Sequence, residues 1–150
     1  MAIPRYLTQA IRLLHERRPD PILRFPLAAV VELNGSIIGR GVNFSEALPW
    51  SKRMRYEAYA LDAHPFCNTH AEMAALNDAV NRSNTVQGAK IYVARMTVGK
   101  SLALSRPCVI CQAILYRYGI RKAYYTIDKN TYGLMKIKAN GVCVDEVRYL

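Results

Sequence analysis

Hydrophobic positions near the start of the chain repeat at the spacing of a helix. Apolar residues recur every three to four positions from Ile3 to Leu14, and Pro4 suits a first helical turn. The pattern predicts an amphipathic helix over residues 3–17, after which two prolines interrupt it. The chain therefore opens with a helix that has one face to bury.

Two β-prone runs follow this helix and border a turn signal. The runs are LAAVVEL (27–33) and IIGRGVN (37–43), and Asn34-Gly35 between them is the strongest short hairpin signal that a sequence carries. The pattern predicts two antiparallel strands.

Residues 45–69 show little periodicity and read as a long loop with at most one helical turn. They hold a set of basic and aromatic residues: Trp50, Lys52, Arg53, Arg55, Tyr56 and Tyr59. Such side chains could stack bases and hold phosphates along a single strand, or cover a small pocket and grip one nucleotide phosphate. They could also form a solvated face with a few core-facing rings, and the sequence leaves the choice open.

The second half of the chain alternates helices with strands. Periodicity predicts helices over 70–82 and 108–118, the second ended by Gly119, and strands over 91–94 and 123–127. Beyond Asp128 the signal weakens, although residues 142–147 could supply a fifth strand. The order predicts an α/β fold with a sheet between helices, and because no repeat or linker interrupts it, residues 1–150 read as a single domain.

Composition and charge narrow the class of protein. Half of the residues are apolar (51%), yet no apolar run approaches the roughly 20 residues that span a bilayer. We therefore expect a cytoplasmic protein with no membrane partner. Twenty-one basic and eleven acidic side chains give a net charge of +10, which favours phosphate or nucleic-acid partners but also simply aids solubility.

Two short motifs carry the candidate chemistry. His70-Ala71-Glu72 and Pro107-Cys108-Val109-Ile110-Cys111 each stand at the start of a predicted helix that follows a loop. Together they match the H-x-E and P-C-x-x-C signature of zinc deaminases.

The spacing of these residues suits one metal ion. Cys108 and Cys111 share one face of a first helical turn, where the helix dipole favours the thiolates that zinc requires. His70 supplies a third ligand and leaves the fourth tetrahedral position for water, as in catalytic sites. Glu72 lies at the same helix start as His70. Its carboxylate can move a proton from that water to the ring nitrogen of a substrate base and to the leaving ammonia. We expect one catalytic Zn2+ with Glu72 as the catalytic carboxylate.

Each motif alone has an ordinary structural explanation. Thr69 to Glu72 is also a capping box, and two cysteines can be buried apolar residues or a redox pair. The occurrence of both motifs in the right order, each after a loop and before a helix, favours the zinc site. His64 and Cys67 are spaced to bind a second zinc, but the sequence shows no evident fourth ligand for it.

Three segments resemble the cytidine and deoxycytidylate deaminase superfamily: HAEMAAL (70–76), SRPCVIC (105–111) and YGIRKAYY (118–125). The resemblance covers roughly residues 27–128. It implies a three-layer α/β/α fold, with a mixed sheet of about five strands and helices on both faces, and zinc as the metal. It also implies that Asn43 contacts the sugar of the substrate and that Ala71 belongs to the substrate-binding site, although an asparagine ending a strand is also common turn chemistry.

The resemblance implies hydrolytic deamination of cytosine to uracil in a free nucleotide or nucleoside, deoxycytidylate being the best single guess. The alternative is deamination of cytosine, or with less support adenine, in single-stranded DNA or RNA, which the charge of +10 favours. A third hypothesis is a zinc module that binds nucleic acid without catalysis, against which Glu72 argues. Proteins that resemble this chain are often oligomeric, so a homo-oligomer is a further expectation.

Overall fold

The structure of the chain, a computed structural model, describes residues 2–16, 26–46, 48–59, 69–138 and 142–150, apart from the side chains of residues 58 and 59. Within these ranges the helices and strands follow in this order: α1 (Arg5–Glu16), β1 (Leu27–Leu33), β2 (Ser36–Val42), α2 (Pro49–Tyr59), α3 (Ala71–Arg82), β3 (Lys90–Met96), β4 (Leu102–Ala103), α4 (Val109–Arg117), β5 (Lys122–Thr126), β6 (Thr131–Ile137) and β7 (Cys143–Tyr149). The helices and strands predicted from periodicity in this part of the chain are present within two or three residues of their expected bounds.

The strands form one mixed sheet with the order β2-β1-β3-β5-β6-β7, and β4 pairs with β3 away from this path. The β3–β5 pair is parallel, because α4 lies between those strands in the chain, and the other pairs are antiparallel. Within the described residues the sheet has seven strands rather than the expected five or so. The short β4 is too brief to show a pattern, and β6 is buried on both faces, which removes the alternation that marks a strand.

Helices cover both faces of the sheet, which confirms the expected three-layer α/β/α arrangement. On one face α1 packs its buried side chains against β1 and β3 around Val30, Tyr92 and Ala94. On the other face α3 and α4 pack on the same strands and on β5 and β6 around Val31, Ile91 and Met135. Alternate residues of the central strands thus serve two different cores.

The first hairpin positions α3 through backbone contact. Asn34 and Gly35 have φ angles of 53° and 85°, the left-handed pair that a tight turn of this kind requires. In β2, a Cβ atom at Gly39 or Gly41 would overlap the backbone of Ala75 in α3. The absence of side chains at these two positions lets α3 lie directly on the strand.

The expectation of a loop over residues 45–69 is wrong where the structure describes it, because Pro49–Tyr59 forms the helix α2. Pro49 occupies the first turn, and Ser51, Met54 and Arg55 are buried. A helix that buries a serine and an arginine shows no apolar periodicity. Hydrophobic spacing in the sequence therefore does not predict α2. No helix among the described residues is long and apolar enough to cross a membrane.

Candidate metal centre

The structure brings His70, Cys108 and Cys111 together at one point. The Nδ1 atom of His70 lies 3.3 Å from Cys111 Sγ and 3.6 Å from Cys108 Sγ, and one ligand atom from each residue lies within 4.8 Å of the others. Among the described residues this is the group of His, Cys, Asp and Glu side chains arranged to hold a metal ion.

Two helix starts create this cluster. His70 is the N-cap of α3 and Cys108 is the N-cap of α4, both with extended backbone and neither with its side chain engaged in a capping hydrogen bond. Both side chains are therefore directed away from their own helices and toward each other. The positive ends of two helix dipoles meet at the cluster, where they favour negatively charged ligands.

The cysteines differ in accessibility and in acidity. Cys108 is exposed, whereas Cys111 is buried. The hydrogen bond from Cys111 lowers the pKa of the Cys108 thiol to about 4, and the same bond, together with burial, raises the pKa of Cys111 well above its usual value. One thiolate and one thiol therefore share a proton, which a cation bound between the two sulfurs would displace.

Burial lowers the pKa of His70, but the contact with Cys108 and the charge of Glu72 outweigh burial and raise the pKa above its usual value. Without a cation, the imidazole is therefore biased toward its protonated form by the negative groups around it. A divalent ion would compete for the same Nδ1 lone pair.

Glu72 lies beside the cluster in the first turn of α3 and is 4% exposed. Its carboxylate is within hydrogen-bonding reach of the Cys111 thiol and of its own backbone amide. Burial raises the pKa of Glu72 above its usual value. A carboxyl group beside the cluster can both accept and release a proton.

The capping-box explanation of Thr69 and Glu72 does not hold in the structure. The N-cap is His70 rather than Thr69, and the side chain of His70 makes no capping hydrogen bond. Thr69 instead donates through Oγ1 to Glu46 O at 2.7 Å and accepts from the Leu48 amide at 3.1 Å, so it ties the segment before α2 to the start of α3. Glu72 is left free to face the cluster.

The basic and aromatic segment contributes one charged group close to the cluster. Arg55 on α2 is 7% exposed, and its charge interacts with Cys111 and Cys108, while burial lowers its pKa. Lys52, Arg53 and Tyr56 are exposed, and Trp50 packs partly buried against the core. The side chain of Tyr59 lies outside the described residues. Sequence reasoning named Arg55 only as one of several basic residues, since nothing in the sequence marks it as buried.

Asn43 follows β2 directly and has a structural contact. Its Oδ1 accepts a hydrogen bond of 3.0 Å from the Leu27 amide, which ties the end of β2 to the start of β1. The next residue, Phe44, exchanges backbone hydrogen bonds of 2.9 and 3.0 Å with Thr69. This bridge brings the Asn43 segment next to His70.

Two further predictions stay predictions. Ala71 is fully buried at the start of α3, and its role in substrate binding stays a prediction. His64 and Cys67, suggested for a second zinc ion, lie outside the described residues.

The donor set fits zinc. Zinc bonds of about 2.0–2.1 Å to nitrogen and about 2.3 Å to sulfur place the two donors about 3.6 Å apart on a tetrahedral edge. The observed nitrogen-to-sulfur distances of 3.3 and 3.6 Å are close to that length. One imidazole and two thiolates are also ligands that zinc prefers, and three protein donors leave a position for a reactant.

Comparison with known proteins gives an independent result. Residues 2–127 match the family described as "Cytidine and deoxycytidylate deaminase zinc-binding region". A search of curated proteins returned no significant match.

Solved structures of similar fold include deaminases from two sources. The dCMP deaminase of cyanophage S-TIM5, solved in complex with dCMP and dUMP, is 21% identical with a TM-score of 0.52 over 80% of this chain and 76% of that one. Its apo form is 19% identical with a TM-score of 0.51, covering 83% and 84%. The cytidine deaminase of Burkholderia pseudomallei is 19% identical with a TM-score of 0.54, covering 99% and 93%.

At these identities the solved structures establish the likeness of fold, while the family match extends over most of the chain and includes both motifs. The metal-binding cluster stands at the place in the fold where the two motif helices begin. The chain therefore belongs to the cytidine and deoxycytidylate deaminase family and is a zinc-dependent hydrolytic deaminase of the cytosine type.

Proposed function

We propose that the chain deaminates the cytosine of a free nucleotide or nucleoside, with deoxycytidylate as the first candidate, and releases the uracil counterpart and ammonia. The observation that carries this proposal is a buried carboxylate, Glu72, beside three convergent donors. A purely structural zinc site has four protein ligands and no use for such a carboxylate.

In this proposal His70 Nδ1, Cys108 Sγ and Cys111 Sγ hold the zinc ion. When bound, the ion supplies Lewis-acid chemistry that lowers the pKa of a water molecule toward neutrality. The two helix N-termini stabilise the thiolates, and Cys111, buried in the core, anchors the site while Cys108 remains accessible.

Glu72 moves the protons. Its carboxylate accepts a proton from the attacking water and delivers it to the ring nitrogen beside C4 of cytosine. The water oxygen bonds to C4, the bond from C4 to the exocyclic nitrogen breaks, and that nitrogen leaves as ammonia after receiving the second proton of the water through the same carboxylate. Water and cytosine thus balance uracil and ammonia.

Support for a monomeric substrate comes from the relatives and from the Asn43 segment. The family description names cytidine and deoxycytidylate, and one similar structure was solved with dCMP and dUMP. The backbone bridge between Phe44 and Thr69 brings the Asn43 segment next to His70, and this proximity supports a role for Asn43 in contacting the sugar of the substrate. Ala71, between the ligand and the catalytic carboxylate, would line the same site.

The test measures ammonia release from deoxycytidylate, cytidine and a single-stranded oligonucleotide, the last because the net charge is +10. Glu72→Gln keeps the shape of the side chain but cannot shuttle a proton, so we expect turnover to fall about a thousandfold with zinc content unchanged. Glu16→Gln, on the exposed end of α1, is the matched control and should keep full activity.

Turnover of deoxycytidylate or cytidine alone supports the proposal, and the ratio of the two rates decides between nucleotide and nucleoside. Turnover of the oligonucleotide alone contradicts the proposal and favours nucleic-acid editing. In that case binding of the oligonucleotide should weaken steeply as the salt concentration rises. A zinc-loaded protein inert toward all three substrates contradicts it in favour of a binding module.

A further inference from the structure

The C-terminal hairpin, formed by β6 and β7, lies beyond the residues that match the family. On β7, Cys143 and Asp145 stand opposite Ile137 and Met135 of β6, which belong to the core beneath α3 and α4. Because alternate residues of a strand share a face, both side chains are on the side of the sheet that carries the metal-binding segments. Asp145 contacts Arg106 in the segment that leads into α4, and Cys143 contacts Gln112 within α4.

Asp145 holds Arg106 in a two-pronged ion pair. Arg106 Nε donates to Asp145 Oδ2 at 2.8 Å, and Arg106 Nη2 donates to Oδ1 at 2.9 Å. The hydroxyl of Tyr125 on β5 donates to the same Oδ2 at 2.5 Å. Two hydrogen bonds from one planar guanidinium to one carboxylate fix the orientation of the arginine side chain. The third hydrogen bond, from Tyr125, fixes the carboxylate from the side of the sheet.

Arg106 is two residues before Cys108, and the residue between them is a proline. Pro107 is buried and its ring restricts its φ angle, so the backbone between Arg106 and Cys108 can adopt few conformations. The position of Arg106 therefore constrains the position of the start of α4. On the other side of Arg106, Ser105 is buried and its backbone amide donates to Thr126 O at 3.0 Å.

A second link from β7 reaches the same segment. The thiol of Cys143 donates to Gln112 Oε1 at 3.3 Å, and Gln112 Nε2 donates to Pro107 O at 2.8 Å. The carbonyl just before Cys108 is therefore held through Gln112 as well. Both links start on β7 and end within two residues of the more accessible metal ligand.

We propose that Asp145 is a positioning residue for the metal site: by clamping Arg106 to β7 it sets the place of the Cys108 thiolate. The inference rests on the proposed function only in taking Cys108 as a zinc ligand. Cys108 needs such support, because it is an N-cap whose side chain makes no capping bond and whose neighbour Val109 is 71% exposed. Cys111 is buried and held by the core, whereas Cys108 depends on its loop.

The test compares zinc affinity, by competition with a chromophoric chelator, for the wild type, Asp145→Asn and Cys108→Ser. We expect Asp145→Asn to weaken zinc binding about tenfold, as loss of an outer partner of a ligand does. Glu146→Gln is the matched control, because Glu146 is the next residue of β7 and pairs instead with Lys136 and Arg148. Its zinc affinity should stay within about twofold of the wild type.

Two further arms separate positioning from a loss of folding. The double variant Asp145→Asn/Arg106→Gln should bind zinc no more weakly than Asp145→Asn alone, because the aspartate acts through the arginine. With cobalt(II) in place of zinc, the absorption spectrum of Asp145→Asn should shift in its thiolate-to-cobalt bands, which a change in global stability would not cause. If Asp145→Asn does not fold, Arg106→Lys, which keeps the charge but loses the second prong, should give the same loss.

Unchanged zinc affinity and an unchanged cobalt spectrum in Asp145→Asn, with weaker binding by Cys108→Ser, would overturn the positioning role while leaving the metal site intact. Equal affinities of the wild type and Cys108→Ser would overturn the assignment of the ligand itself, and with it both proposals. The two failures are therefore distinguishable.

Discussion

Two hairpins flank the metal centre, and they support it in different ways. The first, β1 and β2, lies against α3, where Gly39 and Gly41 meet the helix backbone directly. The second, β6 and β7, reaches the segment before α4 through side chains, chiefly the pair of Asp145 with Arg106. The histidine side of the site is thus held by close-packed backbone, and the segment that leads to Cys108 by charged and polar groups.

The difference matters because the two kinds of support respond to different conditions. Close-packed backbone contains no titratable group, so its stability does not depend on the protonation of a side chain. It is disturbed when a substitution makes atoms overlap. An ion pair whose side chains keep 38% and 24% of their exposure is sensitive to pH and salt. We call the first hairpin, which packs on α3, the rigid flank of the site. We call the second hairpin, with its pair of Asp145 and Arg106, the adjustable flank.

Removal of the metal should give the largest effect, because a bound ion would link His70 at the start of α3 to the two cysteines of the α4 segment. With free zinc at about a thousand times its Kd, chelation should lower the free energy of unfolding by about 4 kcal/mol. Thermal unfolding with and without a chelator measures this loss, and added zinc should restore the transition. His70→Ala is the control and should respond little to chelation. An equal response of the wild type and this variant would show that the effect comes from metal bound elsewhere.

Substitution on the rigid flank should come next. Gly41→Ala places a methyl group into the backbone of α3 between Ala74 and Ala75, so either the helix or the strand must move. We expect a loss of about 3 kcal/mol in the free energy of unfolding, measured by urea titration.

Gly99→Ala is the matched control for this change. Its added Cβ would meet only Thr97 Oγ1 at 3.8 Å, an ordinary contact distance. A loss in Gly41→Ala no larger than in Gly99→Ala would mean that the first hairpin does not hold α3 by packing.

The two hairpins also differ in how far the sequence predicts them. The first carries its own signal, since Asn34-Gly35 supplies the left-handed turn and two β-prone runs flank it. In the second, β6 is buried on both faces and shows no alternation, while β7 is predicted only by the weak strand signal over residues 142–147. Local sequence predicts local turns, but it does not show which strand completes a sheet.

The metal site likewise has a part that the sequence predicts and a part that it does not. The cluster of His70, Cys108 and Cys111 was predictable, because two short motifs at helix starts carry the chemistry. The contacts of Arg106 with Asp145, and the burial of Arg55 beside the cysteines, were not predictable. Both depend on residues far apart in the chain whose meeting is decided by the sheet order.

On the adjustable flank the smallest effect is expected, and it should depend on pH. The hydrogen bonds from Arg106 and Tyr125 lower the pKa of Asp145, so its contribution to stability is present above the unfolded value of about 3.9 and is lost as pH falls through the lower folded pKa. Asp145→Asn should therefore be less stable than the wild type by about 1 kcal/mol at pH 7, with the gap closing below about pH 4. Val147→Ala, on the same strand but without a titratable group, should show the same small difference at both pH values. A gap for Asp145→Asn that stays constant with pH would mean that the carboxylate acts by its shape rather than its charge, and the two flanks would then be alike in kind.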